Sequence, residues 1–156
     1  MKVAIAGSRR LPKGHAPRLL IRFLAALPED AVVMLRRPAS IDAMPGMFEM
    51  DVSVLASVLQ LDVEWVKPEP TDVTRGRSSV YVRDIDMVES ADLVILFFAA
   101  DEVAEGYGGT QHLLDKALAA NRPVYAYSVD EYGTIERVGD YDPDELYVSL
   151  APSVPA

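Results

Sequence analysis

Short apolar runs alternate along this chain with segments of helical spacing, and no other feature of the sequence restricts the fold as strongly. A near-continuous apolar run is typical of a strand that is buried on both faces. The run at residues 92–98 is the most apolar and is the best candidate for a central strand. The pattern predicts strands at residues 2–6, 31–35, 62–66, 92–98 and 123–127, with a weaker one at 146–150.

Between these runs, apolar residues recur three and four positions apart, as amphipathic helices require. Strands that alternate with helices pair in parallel through right-handed crossovers. The sequence therefore predicts an α/β fold, a three-layer Rossmann-like sandwich with a mostly parallel five- or six-stranded sheet in the order 3-2-1-4-5. Helices are predicted over 20–27, from Asp51, over 83–89 and from Thr110, and exposed loops over 67–80 and 101–109.

Length and composition limit the class of protein. The 156 residues are half apolar, which suits one domain at 1–150 followed by a frayed tail at 151–156. Without cysteine and with two histidines, neither a disulfide framework nor a metal site is expected, and we predict no cofactor. No signal peptide or membrane-spanning run is evident, so we expect a cytoplasmic protein with no membrane partner.

The net charge of −9 argues against a general nucleic-acid binder, because the basic surface that a polyanion needs is missing. A small anionic ligand responds instead to the charges within a few ångströms of it. Clustered arginines can make the local electrostatic potential positive on a molecule of negative net charge. Such clusters occur at Arg9 with Arg10 and at Arg36 with Arg37, although solvated surface is the alternative explanation for any one of them.

Two glycine-containing loops are predicted to meet. In the order 3-2-1-4-5 the first and fourth strands are neighbours whose chains leave to opposite faces, which opens a crevice at their carboxyl ends. Gly7, Ser8 and Arg9 follow the first strand. Residues 106–110, which include Tyr107, follow the fourth.

These loops suit a phosphate group. Gly108 and Gly109 allow close approach of the backbone, and the free N–H groups of the helix that follows favour an anion. Thr110 can cap that helix or give its hydroxyl to a phosphate oxygen, and Arg9 offers a bidentate fork. The alternative is that the glycines serve tight packing alone.

Several side chains near these loops have two interpretations. Glu105 and Asp101 could act as nucleophile or base in N-glycosidic cleavage, or could be solvated loop acids. Glu49 and Asp51 could bind a ribose hydroxyl, or could serve the start of a helix.

Two further candidates lie beside the second glycine loop. His112 could donate to a phosphate or a base, with a structural histidine as the alternative. Tyr107 could stack on a base, because it lies on a loop.

The order of three short motifs resembles the SLOG superfamily, the Rossmann-like group that includes the LOG phosphoribohydrolases and the DNA-processing protein DprA. The motifs are Val3 to Arg9, Val82 to Val88 followed by Ala91 to Ile95, and Gly108 to His112. The similarity is greatest to small single-domain members of unassigned activity. It implies a nucleotide or nucleotide-derived ligand, with the site lined by Gly7, Ser8, Arg9, Arg83, Gly108, Gly109 and Thr110.

Departures from the SLOG pattern bear on chemistry. Asp84 stands where an asparagine usually follows the Arg83 position, and Arg36 and Arg37 replace a glycine-rich turn after the second strand. The LOG enzymes carry a glutamate just after their Gly-Thr pair, where this chain has Gln111 and His112. Neither side chain reproduces a carboxylate that stabilises an oxocarbenium-like transition state.

Three functions follow as hypotheses. The first is a binding module that senses or sequesters a nucleotide-like ligand. The second is a hydrolase or transferase at an N-glycosidic bond, of phosphoribohydrolase or nucleoside deoxyribosyltransferase type. The third is a protein-interaction module without a small ligand. A homodimer is also expected, because an exposed apolar cluster would be unfavourable in water: Met44, Met47, Phe48 and Met50. The alternative is that this loop folds back on the protein's own core.

Overall fold

The computed structural model describes residues 1–11, 18–38, 44–67, 77–105 and 109–138 of the chain. Its strands are β1 (Lys2–Gly7), β2 (Val32–Arg36), β3 (Asp62–Val66), β4 (Leu93–Ala99), β5 (Val124–Val129) and β6 (Ile135–Arg137). Its helices are α1 (Arg18–Ala26), α2 (Met47–Val58), α3 (Arg77–Ser90), α4 (Ala100–Glu105) and α5 (Gly109–Ala119).

The six strands form one sheet in the order β3-β2-β1-β4-β5-β6. The first five are parallel, and β6 pairs antiparallel with β5 at the edge. This confirms the predicted α/β class and the 3-2-1-4-5 order. β1 and β4 are neighbours throughout, with Val3 beside Leu93 and Gly7 beside Phe97.

Alternate residues of each strand feed two separate cores, as the two-residue period of a strand requires. On one face, Val3, Ile5 and Phe97 pack with α1 and α2, where Phe23 and Phe48 are buried. The other face packs against α3 and α5 and contains these strand residues: Ala4, Ala6, Met34, Val94, Leu96 and Phe98. All seven residues of β4 are buried, which explains why its sequence is the most apolar of the chain.

Three helical regions differ from the sequence prediction by several residues, and one short strand was not predicted. α2 begins at Met47 rather than at Asp51, with Gly46 as its N-cap and Glu49 in its first turn. α3 begins at Arg77, so the end of the predicted 67–80 loop is helical, although its polar composition hid the periodicity. Residues 101–105 belong to α4 rather than to a loop, because Asp101 and Glu102 favour a helix N-terminus. β6 was not predicted.

Some expectations concern residues outside the described ranges. The weak strand at 146–150 and the tail at 151–156 are among them. Within the described ranges, no helix has the length and apolar character that a bilayer crossing would need.

Candidate functional site

Gly7 and Gly109 both lie near one guanidinium group at the carboxyl edge of the sheet. Arg36 is the last residue of β2, and its Nη2 donates to the carbonyl oxygen of Gly7 at 3.2 Å. Its Nη1 lies 3.7 Å from the point where a Cβ on Gly109 would stand. The end of β1 and the start of α5 are therefore within reach of a single side chain.

The two glycines differ in their surroundings. A Cβ on Gly7 would stand 2.6 Å from Cγ of Phe48, whose ring fills the space beside the strand. Gly109 is exposed, and among the described residues the nearest atom to its absent Cβ is the Arg36 nitrogen, at an ordinary contact distance. Gly7 is thus required by packing, whereas no such close contact among the described residues requires glycine at position 109.

Ser8 folds the turn after β1. Its N–H donates to the Phe97 carbonyl oxygen at 2.9 Å, and its Oγ accepts from the N–H of Arg10 at 3.1 Å. Ser8 is buried, and Arg9 is exposed beside it. The hydroxyl oxygen of Ser8 therefore already serves the turn, while its O–H remains able to donate.

The start of α5 supplies the second half of the site. Thr110 is buried in the first turn of this helix, and His112 is half-buried one residue beyond Gln111. The first turn of α5 contains no acidic residue that would compete with an anion for its N–H groups. Tyr107 and Gly108 lie outside the described residues, so their predicted roles stay predictions.

Arg83, which the SLOG resemblance assigns to the ligand site, is engaged by the protein. Its Nε and Nη2 donate to Oδ1 of Asp84 at 3.1 and 2.9 Å, and its Nη1 donates to the Arg37 carbonyl oxygen at 3.1 Å. Burial lowers the pKa of Arg83 from its ordinary value, and the carboxylate of Asp84 opposes that shift. In this structure Arg83 ties α3 to the end of β2.

Arg36 is held more loosely than Arg83. Its Nη2 lies 3.5 Å from Oε1 of Glu49, and its Nη1 lies 4.0 Å from Oδ2 of Asp84. Charge-assisted hydrogen bonds between nitrogen and oxygen are usually about 2.7–2.9 Å long. Arg36 is thus shared between two carboxylates and closely bonded to neither, and its side chain keeps 14% exposure.

Glu49 is fixed by the start of its own helix. Its Oε2 lies 2.5 Å from the point where a Cβ on Gly46 would stand, so the N-cap glycine makes room for the carboxylate to fold back. Glu49 was considered for a ribose hydroxyl, and its Oε1 instead faces Arg36. Asp51, the other residue considered, is half-buried in the same helix.

The carboxylates after β4 are arranged differently from the prediction. Asp101 keeps 67% exposure and pairs with Arg10 at 3.4 Å, which links α4 to the turn after β1. Glu102 is 6% exposed, and its Oε2 has no hydrogen-bond partner among the described residues. The side chain of Glu105 lies outside the described residues.

Sequence reasoning missed three residues of this edge: Arg36, Asp84 and Glu102. Both appear in the sequence analysis as departures from the SLOG pattern, and Arg36 also as part of an arginine cluster, but neither is predicted to line the site. An arginine at the carboxyl end of a strand was a usable signal. Nothing in the sequence distinguished Glu102 from Asp101, because the helical offset that buries one and exposes the other was not predicted. The described part of the chain holds no group of three or more acidic or histidine side chains that suits a metal ion.

No family model, curated protein or solved structure matches this chain. The resemblance to the SLOG superfamily therefore stays a prediction from three motifs.

Proposed function

We propose that this chain binds a phosphate-bearing, nucleotide-like small molecule at the carboxyl edge of β1 and β4, and that it senses or sequesters that ligand. The observation that carries the proposal is the position of the Arg36 guanidinium beside both Gly7, at the end of β1, and Gly109, at the start of α5. A guanidinium presents a planar fork of donors that matches a phosphate. The first amides of α5 add a partial positive charge beside it.

The pairing of Arg36 supports an exchangeable ligand. Two acidic partners at 3.5 and 4.0 Å hold the guanidinium in place without saturating its donors. A phosphate that arrives at Gly109 can therefore accept from Arg36 with little disruption of the protein's own contacts. Local positive charge of this kind can act on a small anion although the molecule as a whole is negative.

Ligand-induced thermal stabilisation tests this proposal. We expect one or more members of a panel of nucleoside monophosphates, dinucleotides, cyclic nucleotides and sugar phosphates to raise the Tm, because binding to the folded state stabilises it. Arg36→Gln should weaken the affinity for that ligand by at least about tenfold, which is a typical loss for one charge-assisted contact. Lys2→Gln, at the opposite edge of the sheet, should leave the affinity unchanged. If no compound of the panel raises the Tm of the wild-type protein, the proposal is overturned.

A second candidate function, cleavage at an N-glycosidic bond, is favoured by the burial of Glu102. A buried carboxylate oxygen without a partner is costly, and such groups concentrate at functional sites. Water would add to the sugar carbon while the bond to the base breaks, so the products are a free sugar phosphate and a free base. We expect release of base from a nucleoside monophosphate to be lost in Glu102→Gln and kept in Asp101→Asn. Absence of free base with the wild-type protein would exclude this function.

We also propose that two copies associate through the exposed side of α2. Of the predicted apolar cluster, Phe48 is buried in its own core, whereas Met44 and Met47 are exposed. Val54 and Val58 extend this surface along the helix, at 59% and 73% exposure. α2 carries no basic residue and its acidic residues are buried or half-buried, so two copies of a molecule with net charge −9 can meet there without repulsion.

A further inference from the structure

A second arginine at the end of β2 has an unmet hydrogen-bonding need. Arg37 follows Arg36 directly, and its Nε is buried with no hydrogen-bond partner among the described residues. A buried donor that lacks an acceptor costs free energy. In a binding site, a bound ligand can provide the acceptor that the protein lacks.

The backbone of Arg37 is fixed from two sides. Its N–H donates to the Val66 carbonyl oxygen at 2.9 Å, which extends the pairing of β2 with β3. Its carbonyl oxygen accepts from Nη1 of Arg83 at 3.1 Å. Because Arg83 is in turn held by Asp84, a buried ion pair positions the main chain from which the Arg37 side chain extends.

The charged side chains gathered around the end of β2 include one more cation than anion. Three guanidinium groups, those of Arg36, Arg37 and Arg83, meet two carboxylates, those of Glu49 and Asp84. Both carboxylates are involved with Arg36 or Arg83. Arg37 is thus the cation that no acidic side chain among the described residues neutralises through an ion pair.

We infer that the ligand carries two separate phosphate groups, one at Arg36 and the start of α5 and the other at Arg37. This inference rests on the proposed nucleotide-like ligand and names its class as a nucleoside bisphosphate. In Rossmann folds the end of the second strand receives the ribose, and an arginine there accommodates a phosphate on the ribose. Here that strand end carries Arg36 and Arg37.

The sheet sets the span that a ligand in contact with both strand ends must cover. The ends of β2 and β4 are separated by β1, which amounts to two strand spacings or about 10 Å. A ribose with phosphates on its 5′ carbon and on its 2′ or 3′ carbon spreads its anionic groups over several ångströms. A single phosphate at Gly109 would leave Arg37 without an acceptor.

Matched ligands test the inference. Adenosine and guanosine 5′-monophosphates are compared with the corresponding 2′,5′- and 3′,5′-bisphosphates by isothermal titration calorimetry on the full chain. We expect a bisphosphate to bind at least about tenfold more tightly than its monophosphate, as one additional charge-assisted contact provides. In Arg37→Gln the bisphosphate should bind no better than the monophosphate, and monophosphate affinity should be unchanged.

Arg122 offers a matched control. The Nε of Arg122 is also buried without a hydrogen-bond partner among the described residues. Arg122, however, precedes the amino end of β5, whereas Arg37 follows the carboxyl end of β2. Arg122→Gln should therefore preserve the preference for bisphosphate. The Tm of each variant without ligand shows whether it remains folded.

The outcomes separate this inference from the proposed function. Equal affinity of the wild-type protein for monophosphate and bisphosphate would overturn the two-phosphate inference and leave the proposed function intact. An equal loss of affinity for both ligands in Arg37→Gln would also overturn it. Failure of any phosphate-bearing compound to bind would overturn the proposed function, and the inference with it.

Discussion

At the residue scale, Gly7 and Gly109 show that similar turns can require glycine for different reasons. The side of Gly7 is covered by the ring of Phe48, which in turn contacts Phe97 with ring centroids 5.8 Å apart. Among the described residues, Gly109 has the Arg36 guanidinium as its nearest contact. The sequence alone does not distinguish these two roles, because both glycines stand at the end of an element: Gly7 ends β1 and Gly109 begins α5.

Alanine substitutions at these glycines should separate packing from binding. Gly7→Ala brings a Cβ within 2.6 Å of the Phe48 ring. It should lower the free energy of unfolding by about 2 kcal/mol, as overpacking of a core does. Gly109→Ala should change it by no more than about 0.5 kcal/mol, because the nearest described atom, Arg36 Nη1, would lie at an ordinary contact distance of 3.7 Å from the new methyl group. Urea denaturation measures both, and equal losses in the two variants would contradict this account.

The Arg83–Asp84 pair illustrates the cost of an isolated buried charge. Asp84 is 1% exposed, so Arg83→Met leaves its carboxylate buried with Arg36, at 4.0 Å, as its remaining cationic partner. We expect a loss of about 3–5 kcal/mol in the free energy of unfolding, and partial recovery when Asp84→Leu is added. Lys2→Met, which breaks the exposed pair with Glu64, should cost less than about 1 kcal/mol. A loss in Arg83→Met as small as that of the control would refute the assignment of Arg83 as a tether.

Part of the candidate site was predictable from residue types. Glycines after the first strand and before a later helix, combined with the strand order, predicted that Gly7 and Gly109 would approach one edge. The contacts of Arg36 with Glu49 and Asp84 were not predictable, because they depend on where α2 and α3 begin. Both helices begin several residues earlier than the periodicity indicated.

At the element scale, β5 combines core packing with ionisable groups. Tyr125 and Tyr127 are buried against Phe23, with ring centroids 5.1 and 6.0 Å from it. Burial is the main cause that raises the pKa of Tyr125 to about 12. The neighbouring Tyr127 also raises this pKa, and Arg137 of β6 lowers it. Burial also raises the pKa of Tyr127.

These tyrosines should make the fold sensitive to alkali. In the unfolded chain a tyrosine loses its proton near pH 10, whereas Tyr125 in the folded chain keeps it to about pH 12. The folded state then binds more protons than the unfolded state, so stability is complete below pH 10 and falls as the pH rises toward 12. Tyr125 alone can lower the free energy of unfolding by at most about 1.4 kcal/mol for each pH unit in this range.

Urea denaturation between pH 9 and pH 11 measures this dependence. Tyr125→Phe should lose less stability over that interval than the wild-type protein does. Tyr132→Phe should behave like the wild type, because Tyr132 is 85% exposed. Parallel curves for Tyr125→Phe and the wild type would show that the phenol of Tyr125 does not contribute.

At the scale of the whole molecule, the fold was more predictable than the site. Five parallel strands in the order 3-2-1-4-5 followed from apolar runs and alternation, because each run is long enough to be recognised by itself. β6 escaped prediction because it has three residues and two of them are exposed, so it carries no apolar signal. Its place in the sheet comes from antiparallel pairing with β5.

Self-association through α2 is testable at this scale. We expect the wild-type protein to sediment as a dimer and Val58→Glu to weaken the dimer at least about tenfold, since each copy would add a charge to an apolar contact. Tyr132→Glu introduces the same charge at an exposed aromatic elsewhere and should leave the dimer intact. A wild-type protein that sediments as a monomer at its highest soluble concentration would exclude the proposed contact.

The partnership of β1 with β4 joins residues 90 positions apart, as in the hydrogen bond from the N–H of Lys2 to Asp92. During synthesis on the ribosome, β1 therefore stays unpaired along the edge that β4 will occupy until β4 has been made. Until then its apolar side chains lack the cover of β4 and the later helices. At about 5–20 residues per second, this interval lasts roughly 5–20 s. A nascent chain in that condition is prone to aggregate. Slow translation between α2 and β4 should therefore increase its dependence on chaperones.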